Sequence, residues 1–147
     1  MIYLYFMNDD LLVTPRTKRK ALTYGLTHVA LKVKDIDRTI RFYRHIFDVE
    51  IMYLTLTFAQ VKTPGANDII VFEKSKSAAV GKTGGLAHIG FRLQRASDIG
   101  PITKRILEAG GIIKERGEFV PGSPYVFFYD PDGYEIEVWF ELIPAPG

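Results

Sequence analysis

Residues 26–33 read LTHVALKV, and residues 86–93 read LAHIGFRL. The two stretches lie 60 residues apart, and the residue class is kept or nearly kept at every position. Each alternates. Val29, Leu31 and Val33 fall on one face of the first, with His28, Ala30 and Lys32 on the other. Ile89, Phe91 and Leu93 oppose His88, Gly90 and Arg92 in the second. Period-two alternation in a short run predicts a half-buried strand. The duplication predicts that the chain is one unit written twice.

The residues after each strand support this. Asp35 can cap a helix whose stripe is Ile36, Ile40, Tyr43 and Phe47. Ser97 can cap a second, with Ile99, Ile102, Ile106 and Ala109 as its stripe and Gly110–Gly111 as its end. Three strands follow each helix, roughly 51–56, 57–62 and 68–73, then 112–118, 124–129 and 134–141. Pro64–Gly65, Asn67–Asp68, Pro121–Gly122 and Asp130–Pro131–Asp132–Gly133 mark the turns. The expected fold is therefore α+β, two βαβββ modules whose curved mixed sheets close around a cleft. Module one spans 25–74, a small polar linker 75–85, and module two 86–142. An arm (1–24) and a tail (143–147) flank this single domain.

The faces that carry His28 and His88 should line the cleft. In the last strand Glu135, Glu137 and Trp139 alternate with Ile136, Val138 and Phe140, so Glu137 belongs on the cleft side. Two histidines and one carboxylate from different strands would form an open site for a divalent metal, with positions left for water or a substrate oxygen. Glu73 is roughly the repeat mate of Glu137, 45 residues after His28 where Glu137 is 49 after His88. It is read as a fourth ligand or a base, or else as a solvated strand end. The other reading of the whole set is a packed polar cleft. His45, between Arg41 and Arg44 on a helix, reads as surface. Asp130 and Asp132 read as turn chemistry first.

Composition limits the partners. The 147 residues include no cysteine, which excludes a disulfide scaffold, thiolate zinc and a cysteine nucleophile. The net charge of +2 does not by itself imply nucleic acid or a membrane surface. The apolar start MIYLYF is stopped by Asn8, Asp9 and Asp10, too short to span a bilayer and unlike a secretory signal. The basic stretch TPRTKRK at 14–20 reads as a solvated connector. A soluble cytoplasmic protein is expected.

The pattern GLTHVALKVKDIDRTIRFYRHIFD, the second LAHIGF and the ending FFYDPDGYEIEVWF resemble the vicinal oxygen chelate superfamily of glyoxalases, extradiol dioxygenases, fosfomycin-resistance enzymes and bleomycin-resistance proteins. The resemblance covers residue 25 to about 142 and implies His28, His88 and Glu137 as ligands of a divalent ion (Ni, Zn, Co, Mn or Fe). It implies Glu73 as the nearest candidate for glyoxalase I's additional ligand. It also implies a homodimer in which His28 of one protomer meets His88 and Glu137 of the other. The activity it implies is a metal-dependent glyoxalase-like lyase or isomerase, with Glu137 or Glu73 moving a proton on a small substrate that chelates through adjacent oxygens. The alternatives are an Fe(II) ring-cleaving dioxygenase and a metal-free binding or resistance protein with Phe127, Tyr129 and Trp139 as a stacking wall. Phe127 stands where dioxygenases and fosfomycin-resistance enzymes carry a tyrosine, and Ala30 where the latter use a hydroxyl.

Overall fold

A computed structural model describes residues 21–142, so most of the expected arm and all of the tail lie outside the described residues. The element order is the expected duplication. Module one runs β1 (His28–Val33), α1 (Ile36–Phe47), β2 (Glu50–Leu54), β3 (Phe58–Lys62) and β4 (Ile69–Lys74). Module two runs β5 (Ile89–Arg92), α2 (Ile99–Glu108), β6 (Ile112–Glu118), β7 (Pro124–Tyr129) and β8 (Glu135–Trp139). Each module forms a four-stranded mixed sheet, ordered β1-β4-β3-β2 and β5-β8-β7-β6. In each, the first and last strands pair in parallel and the other pairs are antiparallel. This is the expected α+β class.

Helix α1 starts where the Asp35 side chain accepts from the Arg38 backbone N–H at 2.9 Å and ends at Asp48, which takes the left-handed conformation. Its buried face holds Ile36, Ile40, Phe42, Tyr43 and Ile46. Helix α2 begins differently from expectation. Ser97 lies inside a 3-10 turn over Ala96–Asp98, the helix starts after Asp98, and no side chain caps it. The Arg95 guanidinium instead grips the Asp98 carboxylate at 3.1 Å, which draws the acid away from the helix end.

The modules join through their helix sides into one core. Phe47 of α1 stacks on Phe91 of β5, with centroids 3.9 Å apart and planes 14° from parallel. Phe42 lies 6.2 Å from Phe128 of β7. Full burial of a ring such as Phe42 or Phe128 contributes about 1.5–3 kcal/mol, and the half-buried Phe47 and Phe91 less. Polar groups fix the orientation. The Tyr43 hydroxyl donates to Asp130 at 2.8 Å in the interior. Asp130 Oδ1 also accepts from the backbone N–H groups of Asp132, Gly133 and Tyr134, each at 3.0 Å. Asp132 accepts from Arg38, and the Tyr134 hydroxyl donates to the Lys32 carbonyl. The turn before β8 is thus the clamp between the modules. The linker is tied to it: Gly81 sits at φ 77°, and a Cβ there would stand 2.1 Å from the Asp132 carbonyl oxygen.

Candidate metal centre

Strand register sets which side chains meet. Ile89 pairs with Ile136 and Gly90 with Glu137, so His88, one residue before β5, is level with Glu135 and diagonal to Glu137. The His88 Nε2 and Glu137 Oε2 atoms stand 2.9 Å apart. Glu137 is buried while the His88 ring is about a third exposed. Burial pushes the Glu137 carboxyl above its ordinary range, and the adjacent imidazole opposes that rise.

Phe127 is directly opposite Glu137 on β7, and its ring meets the His88 ring edge-on at 5.1 Å. On the other side is Gly90, which leaves room for the Trp139 ring: a Cβ on Gly90 would lie 2.6 Å from that ring. The Trp139 Nε1–H is sealed from solvent and finds no acceptor among the described residues.

Module one places its counterparts differently. His28 is on the exposed face of β1, opposite Ile69. The residue that matches Glu137 in register is Val71, which is buried. Glu73 shares the face but lies two residues, about 7 Å, further along. It is exposed, level with Lys32 on one side and Phe58 on the other. Within one chain His28 and His88 line separate pockets of about 470 and 310 Å³. His28 shares the larger with Gly90 and Arg92, and His88 shares the smaller with Ala30 and Lys32. No three His, Asp or Glu side chains converge among the described residues. His45 is at the surface as expected, but its ring contacts Glu108 of α2 at 3.0 Å, a partner the sequence did not reveal.

The chemistry of the pair fits a metal. The 2.9 Å between them is the distance of a hydrogen-bonded ion pair, and it is compatible with two ligands at right angles and about 2.1 Å from one octahedral ion, which stand about 3 Å apart. One nitrogen and one carboxylate oxygen, the imidazole about a third exposed and the carboxylate buried, would supply two neighbouring positions of a coordination sphere.

A family model for the glyoxalase/bleomycin resistance protein/dioxygenase superfamily matches residues 25–138, and the chain belongs to that superfamily. Similar solved structures include the genomically encoded fosfomycin resistance protein FosX from Listeria monocytogenes. That structure is 26% identical with a TM-score of 0.69, covering 83% of this chain and 97% of its own. A variant of that Listeria protein complexed with Mn(II) and 1S,2S-dihydroxypropylphosphonic acid is 26% identical, covering 80% and 90%, with a TM-score of 0.66. A glyoxylase/bleomycin resistance protein/dioxygenase domain from Frankia sp. EAN1pec is 25% identical over 80% and 98%, with a TM-score of 0.67. Comparison with curated protein sequences gives no match. No described helix is long and apolar enough to cross a membrane.

Proposed function

We propose that this protein is a divalent-metal-dependent enzyme of its superfamily, acting on a small molecule that offers two adjacent oxygens. The observation that carries the reading is the His88–Glu137 pair, set at the separation of neighbouring ligands. His88 and Glu137 would hold the ion together with His28 from a second copy of the chain. A homodimer accounts for the open, exposed face around His28, which no residue of its own chain completes into a three-ligand site among those described. The bound ion supplies Lewis acidity to the substrate oxygens.

The rest of the chemistry falls to the chain. A lyase or isomerase of glyoxalase type moves a proton between neighbouring carbons, and a carboxylate is the natural carrier. Glu137 is the better placed of the two candidates. With Oε2 turned to His88, its Oε1 would hold the proton. Glu73 would act only where the partner chain brings a substrate to its outer end of β4. Phe127 and Trp139 flank Glu137 with rings, which exclude water from the carboxylate and strengthen its interactions.

A fosfomycin-modifying hydrolase is the second reading, favoured by the Listeria FosX structures at 25–26% identity. Ala30 and Phe127 weigh against it, because they remove the hydroxyl groups that the resemblance places near that substrate.

Elemental analysis of protein purified without chelators, beside the His28→Ala and His88→Ala variants, tests the site. Mixing the two variants after subunit exchange tests its sharing. Half of randomly formed pairs are mixed and each holds one intact site, so roughly a quarter of the wild-type sites should return. Full metal content in both variants would end the proposal, and no recovery on mixing would end the shared-site form of it. Turnover of a glutathione–methylglyoxal hemithioacetal, of fosfomycin, or oxygen uptake with catechols then assigns the reaction.

A further inference from the structure

We propose that the seam between the two modules holds a second ligand site, built for a small aliphatic dicarboxylate. It goes beyond the metal reading and does not depend on it.

The site is the cavity of about 310 Å³ that His88 shares with β1 and the linker. Its size is at the lower end of the range for small-molecule pockets, about 300–1,000 Å³. Two cations line it, Lys32 near the end of β1 and Lys82 in the linker. Neither forms an ion pair among the described residues. Glu73 is level with Lys32 on β4 and does not bond to it. Glu135, the acid in the lining, is already held by Lys114 at 2.7 Å, and His88 stands 2.9 Å from Glu137. The wall therefore carries two uncompensated positive charges.

The backbone that bears both lysines is anchored. The Tyr134 hydroxyl donates to the Lys32 carbonyl at 2.7 Å, and the Lys34 N–H donates to Asp132 at 3.2 Å. Beside Lys82, Val80 is buried and Gly81 packs on the Asp132 carbonyl. The Lys82 N–H closes a turn on the Ala79 carbonyl at 2.9 Å. A frame set before the ligand arrives lowers the ordering cost of binding.

The rest of the lining selects the body of the ligand. Leu31, Leu86 and Ile89 supply apolar surface, and Thr83 a hydroxyl. No arginine lines the cavity among the described residues, so no planar fork is present to grip one phosphate through two bonds. Two point charges on separate elements, with apolar surface around them, suit two carboxylates joined by a short carbon chain better than one compact inorganic anion.

The test is a chemical-shift titration of metal-free protein, read at the amides of residues 79–86. The probes are glutarate, its monoamide glutaramate, and inorganic phosphate, at about pH 8, where the carboxylates are ionised. Glutarate is expected to bind about fivefold more tightly than glutaramate, which has the same length and one charge fewer. Phosphate lacks the carbon body and should bind at least about threefold more weakly than glutarate. Lys32 and Lys82 are exposed, so their variants should fold. Lys32→Gln and Lys82→Gln should each weaken glutarate about fivefold and abolish its advantage over glutaramate. Lys104→Gln, exposed on α2 beside Glu108, removes the same charge elsewhere and should leave the affinity unchanged. No shift centred on the seam, equal affinity for glutarate and glutaramate, or an equal loss in Lys104→Gln overturns the inference. Phosphate binding as tightly as glutarate overturns the dicarboxylate assignment. Since every titration is metal-free, failure of the His88–Glu137 metal reading leaves these outcomes unaltered.

Discussion

The two modules share one strand order and differ in what stands beside the first strand's histidine. Each begins with a histidine, at the start of β1 in one and one residue before β5 in the other, and each pairs that first strand in parallel with its last. In module two the side chain diagonal to the histidine is Glu137, and the two touch. In module one the same position is Val71, and the nearest carboxylate is one same-face step beyond. One copy thus holds two neighbouring donors and the other a single imidazole. A duplicated fold can keep its architecture while its chemistry becomes one-sided, because the architecture resides in the buried strand faces and the chemistry in the open ones.

The largest expected effect tests that one-sidedness. His88→Ala should weaken metal binding by more than about 100-fold, exceeding the loss typical for an outer-shell partner, as read by equilibrium dialysis. His28→Ala should weaken it less, since the touching pair survives. Equal losses would mean that both modules contribute alike. Next is the clamp that the modules share. Tyr43→Phe leaves the buried Asp130 short of a donor and should cost about 1–3 kcal/mol in urea denaturation. A neutral result would show that the two halves hold their relative placement by apolar packing alone.

Glu73→Gln sharpens the comparison from the other side. If the register is what silences module one, metal affinity should change by less than about twofold, and a large loss would restore Glu73 as a ligand. The smallest effect is a pH slope. Burial raises the Asp130 carboxyl above its ordinary value of 3.8, against the Tyr43 hydroxyl and the backbone N–H groups that pull it down. A raised carboxyl favours the fold when protonated, so this contribution is complete below the unfolded value and is lost as pH rises through the folded one. Thermal melts stepped upward from pH 3.8 should therefore show wild type losing stability relative to Asp130→Asn. A constant difference between the two would remove this role.

Much of this was readable from residue order alone. The 60-residue offset and the alternation in LTHVALKV and LAHIGFRL fix two strands and their faces, since side-chain direction in a strand depends only on parity. The same parity puts Glu137 on the His88 side. What escaped depends on distance through space. Parity places Glu73 on the correct face but not at the correct height, because height depends on where β4 engages β1. Asp130 and Asp132 read as turn residues, and they are; their grip on Tyr43 and Arg38, 87 and 94 residues away, has no local signature. Ser97 had the chemistry of a cap and lost the position to an extra 3-10 turn. The separation of His28 from His88 within one chain follows from how the helix sides dock; the family resemblance implied it through a site shared by two protomers, but the local residue pattern does not encode it.

The contact between Gly81 and the Asp132 carbonyl has a mechanical consequence. A segment that looks from its composition like a loose tether packs at its middle against the turn before β8, with Val80 buried beside Gly81. Access to the candidate site therefore does not call for the two halves to move apart, since His28 and His88 already stand on exposed faces while the halves share one core.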